Sequence, residues 1–355
     1  MTSVGQYLTK TRRAMSFRPV HLFIIFALAV SQAHARGRAG QAQAVKVVGD
    51  QTLDLGRAGA LPIFASTDWA VPSPGITRAV VVVHGLHRNA SNYFRAAEKA
   101  ASAAGQTEQS TIIIAPQFLN EADADAHDLP DDVLRWSRGS WEGGEPAVGP
   151  STVSSFDALD AIFKTLANPK LFPDLKAVVI AGHSGGGQIV QRYAIAGKAD
   201  ADLTRRGIGV RYVVANPSTY AYFDSQRPEP GIAASCRGFN KWKYGLEDRP
   251  PYLAAANPKD LERRYVSREV IYLLGTDDDD PNHPDLDKSC GAQAEGPTRY
   301  DRGHEYARRM ARRNHGTPMH KVWDVPGVGH DGGKMINSPC GLQALFDVPG
   351  CVASQ

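Results

Sequence analysis

The feature that most constrains the fold is a regular alternation of apolar and amphipathic segments from about residue 78 onward. The apolar segments are short, rich in β-branched residues and apolar at consecutive positions, which is typical of parallel strands covered on both faces. The predicted strands span residues 79–84, 111–115, 177–181, 210–215, 270–274 and 321–325. Helical periodicity predicts helices at residues 91–104, 154–166, 186–196 and 302–313.

Strands and helices in this order predict an α/β fold with a mostly parallel central sheet and helices on both faces. No composition break marks a second domain, so residues 45–355 are expected to form one domain. Two polar segments rich in glycine, proline and aromatic residues, 119–150 and 217–265, interrupt the alternation. Long insertions are often functional. Trp136, Trp141 and the second insertion are therefore candidates for substrate contact, with packing as the more frequent role of such aromatic residues.

The first 35 residues have the pattern of a secretory signal peptide. They contain no acidic residue, and four basic residues precede the apolar run 22–30. Cleavage is predicted after Ala35, or as late as Ala44. The alternative is an uncleaved anchor, but the apolar run is far shorter than the roughly 20 residues that span a bilayer. We therefore expect a secreted or periplasmic protein with no stable membrane anchor.

The charge and the cysteines are interpreted together with this leader. The formal net charge of +3 becomes slightly negative once the leader's basic residues are removed, which argues against a nucleic-acid partner. Four cysteines in an exported chain predict two disulfides. We favour Cys340 with Cys351, which closes a short loop, and Cys236 with Cys290, which joins two long loops. Unpaired buried thiols are the alternative if the leader prediction is wrong, and the oligomeric state stays open.

The segment 182–186 reads GHSGG and matches the pattern G-x-S-x-G. It directly follows the strand pattern 177–181 and directly precedes a helix pattern, which is the setting of a nucleophile elbow. Small residues suit this turn because it strains the serine backbone and brings strand and helix close together. The motif predicts Ser184 as a nucleophile.

A serine hydroxyl needs a base to take its proton. Among the 11 histidines, His330 follows the strand pattern 321–325 and is the first candidate, and His283 is the second. If His330 is the base, activity should fall as the pH drops through the ordinary histidine range. A carboxylate that orients the histidine is expected after the strand pattern 270–274, where residues 277–280 are four consecutive aspartates.

Residues 78–331 resemble the α/β-hydrolase superfamily. The resemblance rests on four features in this order: the His-Gly turn at residues 84–85, the elbow, the acidic loop at residues 277–287, and His330. The resemblance implies that the acid is Asp278, three residues after the glycine that closes its strand, with Asp277 and Asp279 as alternatives. It also implies an oxyanion hole formed by the backbone N–H groups of Leu86 and Gly185, with His87 as the alternative to Leu86.

The phrase GHSGGGQIVQRYA within this framework resembles extracellular serine esterases, including polyester depolymerases and feruloyl esterases. The resemblance implies cleavage of a small-molecule or polymeric carboxylic ester through an acyl-enzyme. A peptide or amide hydrolase with the same triad is one alternative, and a non-catalytic binding protein on the same fold is another.

No cofactor is expected, because the glycine-rich segments lack both GxGxxG after the first strand pattern and GxxxxGK[ST]. The aspartates of residues 277–280, with Asp285 and Asp287, offer oxygens that suit calcium. Their spacing lacks the glycine at the sixth position of an EF-hand loop, so we predict no metal site.

Overall fold

The computed structural model describes residues 43–315 and 320–352, so the predicted leader, residues 1–35, lies outside the described residues. One eight-stranded sheet has the order β1-β2-β4-β3-β5-β6-β7-β8. The strands are Gln51–Asp54 (β1), Ala60–Ala65 (β2), Arg78–Val83 (β3), Thr111–Pro116 (β4), Ala177–His183 (β5), Gly209–Ala215 (β6), Glu269–Gly275 (β7) and Lys321–Val325 (β8). The pairs from β4 to β8 are parallel, which confirms the predicted sheet.

Two strands were absent from the sequence prediction. β1 pairs antiparallel with β2, and β2 pairs antiparallel with β4, so they extend one edge of the sheet. β1 is four residues long and buries only Leu53, which leaves too little apolar alternation to detect. β2 contains Pro62, and a proline weakens a strand prediction because it cannot donate to the ladder.

The α-helices of the described ranges lie on both faces of the sheet, as predicted. They are Ala90–Ala103 (α1), Glu121–Ala126 (α2), Ser155–Leu166 (α3), Gly185–Ala196 (α4), Asp200–Arg205 (α5), Pro230–Ser235 (α6), Pro258–Ser267 (α7), Cys290–Gln293 (α8), Arg299–Arg313 (α9), Gly332–Asn337 (α10) and Pro339–Phe346 (α11). Val80 and Val82 of β3 pack with α1, α10 and α11, whereas Val81 and Val83 pack with α3 and α4 on the opposite face. This alternation gives the protein two apolar layers.

The first insertion contributes to the core. Trp136 and Trp141 are both fully buried and belong to the apolar layer that includes α3 and α4. Packing is therefore their role, and the expectation that they contact substrate is wrong. Trp242 of the second insertion is partly buried against the same layer, and its Nε1 donates to the Gly143 carbonyl at 2.6 Å.

Both favoured disulfides are present. Cys236 pairs with Cys290, and Cys340 pairs with Cys351. The first joins the end of α6 to the start of α8, and the second closes the C-terminal segment onto α11. Within residues 43–315 and 320–352, no helix is both long enough and apolar enough to cross a membrane.

Candidate active site

Four predicted site residues lie at one edge of the sheet because each follows the carboxyl end of a parallel strand. Leu86 follows β3, Ser184 follows β5, Asp278 follows β7 and His330 follows β8. In open α/β sheets this edge is where ligands bind. The fold therefore brings together residues that are up to 244 positions apart in the sequence, as the numbering of Leu86 and His330 shows.

Ser184 occupies a tight turn between β5 and α4. Its backbone has φ 60° and ψ −121°, which is a strained conformation for a residue with a side chain. The turn depends on its glycines: a Cβ on Gly182 would lie 2.1 Å from the carbonyl oxygen of Gly186, and a Cβ on Gly186 would lie 2.1 Å from that of Val83. These contacts explain physically why the elbow pattern needs small residues on both sides of the serine.

Ser184, His330 and Asp278 form a continuous chain of hydrogen bonds. The Ser184 Oγ lies 2.9 Å from His330 Nε2, where the hydroxyl donates to the imidazole. His330 Nδ1 lies 2.7 Å from Asp278 Oδ2 and donates to that carboxylate. The Ser184, His330 and Asp278 side chains are all largely buried, so little water competes for these bonds.

The environment keeps the His330 imidazole neutral near pH 7. Burial lowers the pKa of His330 well below its ordinary value, and the neighbouring Arg299 and His283 lower it further. Asp285 opposes this effect by raising the pKa of His330. A neutral imidazole with a free lone pair on Nε2 is the form that accepts a proton from a serine.

The residues predicted as alternatives to Asp278 and His330 lie outside the hydrogen-bonded series that begins at Ser184. Asp277 and Asp279 are exposed, whereas Asp278 is 3% exposed and faces the histidine. The ring of His283 lies 4.9 Å from that of His330, and its Nδ1 accepts from the Asp285 amide at 3.2 Å. Across the part of the chain that the structure covers, no group of three or more histidine, cysteine, aspartate or glutamate side chains is arranged to hold a metal ion.

The loop that carries Leu86 is held by a buried histidine. His84 Nδ1 donates to the Gly85 carbonyl at 2.8 Å, and Nε2 accepts from the Phe118 amide at 3.0 Å. Burial lowers the pKa of His84 to about 4, so the ring is neutral and keeps the acceptor that Phe118 requires. The Leu86 amide is close to Gly185, because a Cβ on Gly185 would lie 3.2 Å from the Leu86 nitrogen.

A buried carboxylate, that of Glu142, lies next to Gly185. Glu142 is 2% exposed, and its Oε2 accepts from Gln188 Nε2 at 3.1 Å and from Lys243 Nζ at 3.0 Å. Its Oε1 would lie 2.8 Å from a Cβ on Gly185 and has no hydrogen-bond partner among the described residues. The Cα of Gly185, which is also close to the Leu86 amide, therefore faces a buried acidic side chain.

Two further connections across the site were missed by sequence reasoning. Asn216, which follows β6, accepts from the Gly275 amide at 2.8 Å and donates to the Gly329 carbonyl at 3.3 Å, so it joins the acid-bearing strand to the loop of His330. His87 Nε2 contacts Asp285 Oδ2 at 3.0 Å and joins the loop of Leu86 to the acidic loop. Nothing in the local sequence predicts these contacts, because their partners lie in distant segments of the chain.

The largest omission is Arg299, a fully buried arginine in contact with Asp278. Its Nη1 donates to Asp278 Oδ1 at 3.2 Å, and its Nε donates to Ser218 Oγ at 3.1 Å. The sequence prediction started this helix at residue 302, whereas α9 begins at Arg299. The basic composition of the helix gave no signal that its first residue is buried beside the aspartate.

Comparison with known proteins bears on the fold. No protein-family model matches the chain, and no curated protein matches it. Among solved structures, poly(aspartic acid) hydrolase-1 from Sphingomonas sp. KT-1 is 21% identical, with a TM-score of 0.58 over 85% of this chain and 99% of that one. A poly(3-hydroxybutyrate) depolymerase from Bordetella parapertussis is 19% identical, with a TM-score of 0.59 over 89% and 94%. The chain has the α/β-hydrolase fold. The resemblance inferred from the sequence is thereby confirmed for the fold.

Proposed function

We propose that this protein is a secreted serine hydrolase that cleaves carboxylic esters, with Ser184 as nucleophile, His330 as base and Asp278 as the orienting acid. The observation that carries the proposal is the hydrogen-bonded series Ser184–His330–Asp278, with separations of 2.9 and 2.7 Å, at the strained turn before α4. The carboxylate of Asp278 is needed in this series, because the imidazolium that forms on His330 requires a negative charge beside it.

The proposed reaction has two halves. Ser184 Oγ forms a bond to the ester carbonyl carbon while His330 Nε2 takes its proton, and the Leu86 and Gly185 amides donate to the resulting oxyanion. The acyl–oxygen bond then breaks, and the alcohol leaves with the proton from His330. Water repeats the attack on the acyl-enzyme with His330 as base, which releases the carboxylic acid and restores Ser184.

The two disulfides support export, because such bonds persist mainly in oxidising compartments. Hydrolysis of a peptide or amide by the same residues is the second candidate. The two fold neighbours described above are named for poly(aspartic acid) and for poly(3-hydroxybutyrate), so both polymers belong in a substrate panel beside p-nitrophenyl esters of increasing chain length and a peptide amide. Preference for the esters would support the proposal, and exclusive cleavage of amides would replace it.

The nucleophile is tested by labelling with a fluorophosphonate probe. Wild-type protein should take up one label, and Ser184→Ala should take up none and lose at least about 10³-fold in ester hydrolysis. Ser235→Ala is the matched control, because this exposed hydroxyl contacts only the Ile232 carbonyl of its own helix among the described residues. An unlabelled wild type would favour the non-catalytic binding protein instead, and equal labelling of Ser184→Ala would exclude Ser184 as the labelled nucleophile.

A further inference from the structure

The carboxylate of Asp278 is shared between two partners. Oδ2 accepts from His330 Nδ1 at 2.7 Å, and Oδ1 accepts from Arg299 Nη1 at 3.2 Å. Both Asp278 and Arg299 are almost completely buried, so no bulk water screens the ion pair. The proposed mechanism uses only one of these two contacts.

The position of Arg299 is determined on several sides. Its Nε donates to Ser218 Oγ at 3.1 Å, and its Nη2 lies 3.5 Å from His283 Nδ1. The next residue in the helix, Tyr300, donates its backbone N–H to the Asp278 carbonyl at 3.3 Å. The first turn of α9 is therefore joined to Asp278 by both a side chain and the backbone.

We propose that Arg299 is a positioning residue that holds one oxygen of Asp278 and withdraws part of its charge from His330, so that Ser184 and His330 remain reactive in mildly acidic solution. A carboxylate paired with a cation stabilises an imidazolium less than a free carboxylate does, because the two positive groups repel each other. Neutral His330, the form that accepts the proton of Ser184, therefore persists to lower pH. This inference rests on the proposed function.

The surroundings of His330 agree with this effect. After burial, the guanidinium of Arg299 is the strongest influence that lowers the pKa of His330. Other charged or titratable groups also face this cluster from the acidic loop, from the loop of Leu86, from the elbow and from the loop of His330 itself. These groups are Asp278, His283, Asp285, His87, His183 and Asp331.

A buried arginine also stabilises a fold by packing, so the test needs a matched residue. Arg302 lies one turn further along α9 and is 1% exposed. Its Nη1 donates to the Ser218 carbonyl at 2.6 Å, and its Nε donates to the Gly296 carbonyl at 2.8 Å, without contact to Asp278. Arg302→Gln therefore removes a comparable buried cation from the same helix while leaving the Asp278 carboxylate untouched.

The experiment measures the rate of fluorophosphonate labelling from pH 4 to pH 8, which reports on His330 without a known substrate. The wild-type rate should fall to half at a pH below 6.5, lower than the ordinary histidine range expected from the sequence, because the surroundings of His330 lower its pKa. Arg299→Gln should raise this midpoint by about one pH unit, a tenfold change in the acid dissociation constant. Arg299→Lys keeps the positive charge, so its midpoint should lie close to that of the wild type. Arg302→Gln should leave the midpoint unchanged although it lowers the unfolding temperature.

Three results would overturn the inference: a wild-type midpoint above pH 6.5, an unchanged midpoint in folded Arg299→Gln, or an equal shift in Arg302→Gln. The first needs no variant, so the inference stays testable even if Arg299→Gln does not fold. A wild type that takes no label contradicts the proposed function itself. A wild type that labels at Ser184 with an unaltered midpoint in Arg299→Gln contradicts only the role of Arg299.

Discussion

At the residue scale, two atoms limit the space beside Gly185 at the predicted oxyanion hole. A Cβ on Gly185 would lie 2.8 Å from Glu142 Oε1 and 3.2 Å from the Leu86 amide nitrogen. Glu142 cannot easily move away, because Gln188 and Lys243 hold its other oxygen. A methyl group at position 185 would therefore displace one of the two proposed donors.

Gly185→Ala should lower kcat/KM for an ester about 10²-fold or more, which is the usual effect of losing one oxyanion donor. The cause is local, so Ser184 should remain in its turn and most of the stability should be retained. Steady-state kinetics beside a thermal unfolding curve would measure both effects. Gly231→Ala is the control, because a Cβ there meets no heavy atom within 4 Å. Full activity in Gly185→Ala would contradict the predicted displacement of a donor by the added methyl group.

At the scale of elements, the Cys236–Cys290 disulfide connects the second insertion to the acidic loop. Cys236 follows α6, and Cys290 begins α8 directly after the loop that contains Asp278 and Asp285. The Cys340–Cys351 disulfide lies further along the chain and closes a much shorter loop, with a sequence separation of 11 rather than 54. Removal of the two disulfides should therefore lower the free energy of unfolding by different amounts.

Replacement of Cys236 and Cys290 by serine should reduce the free energy of unfolding by about 4 kcal/mol, because the bond restricts a long loop of the unfolded chain. Replacement of Cys340 and Cys351 should reduce it by about 3 kcal/mol on the same chain-entropy argument. Denaturant unfolding of the two double variants measures the difference. A larger loss from the shorter loop would mean that native contacts, rather than loop length, dominate.

At the scale of the whole molecule, several histidines are held in the neutral form by full or partial burial. Burial lowers the pKa of His84 and of His320 to about 4, and it lowers that of His183 and of His330 as well. The unfolded chain binds protons on these rings near pH 6.5, whereas the folded protein resists protonation. Their contribution to stability is therefore full above pH 6.5 and is lost as the pH falls toward 4.

The free energy of unfolding should consequently decrease between pH 6.5 and pH 4, with His84 alone contributing about 3 kcal/mol. Glu295 opposes this trend, because burial raises its pKa to about 8 and its protonation favours the folded state over the same range. Urea unfolding at several pH values measures the slope. His320→Gln should reduce that slope by up to about 1.4 kcal/mol per pH unit.

His320 is the suitable control position because it lies outside the candidate site and its ring contacts the Tyr265 carbonyl at 3.1 Å. A slope that stays the same in His320→Gln would show that this histidine does not titrate with unfolding. A stability that is constant from pH 6.5 to pH 4 would contradict the combined effect of the buried histidines.

The local sequence pattern was sufficient to predict the parallel strands and the turn that carries Ser184. The strands β3 to β8 were predicted from short apolar, β-branched segments, several of them apolar at consecutive positions, and the elbow around Ser184 from small residues between a strand and a helix. The edge strand β2 was missed because Pro62 interrupts it and its pairing with β4 depends on residues 50 positions away. Trp136 and Trp141 were left between substrate contact and packing, and their complete burial decides for packing, because a polar segment can still bury individual aromatic side chains.

The sequence by itself determined the class of fold, the order of the candidate residues and the pairing favoured for the cysteines. Each of these follows from spacing along the chain. Only the tertiary structure decided which aspartate faces His330, that Glu142 lies against Gly185, and that Arg299 pairs with Asp278. The physical reason is that ion pairs and burial depend on distances in space, and the convergence of strand ends at one sheet edge brings together residues that no sequence window contains.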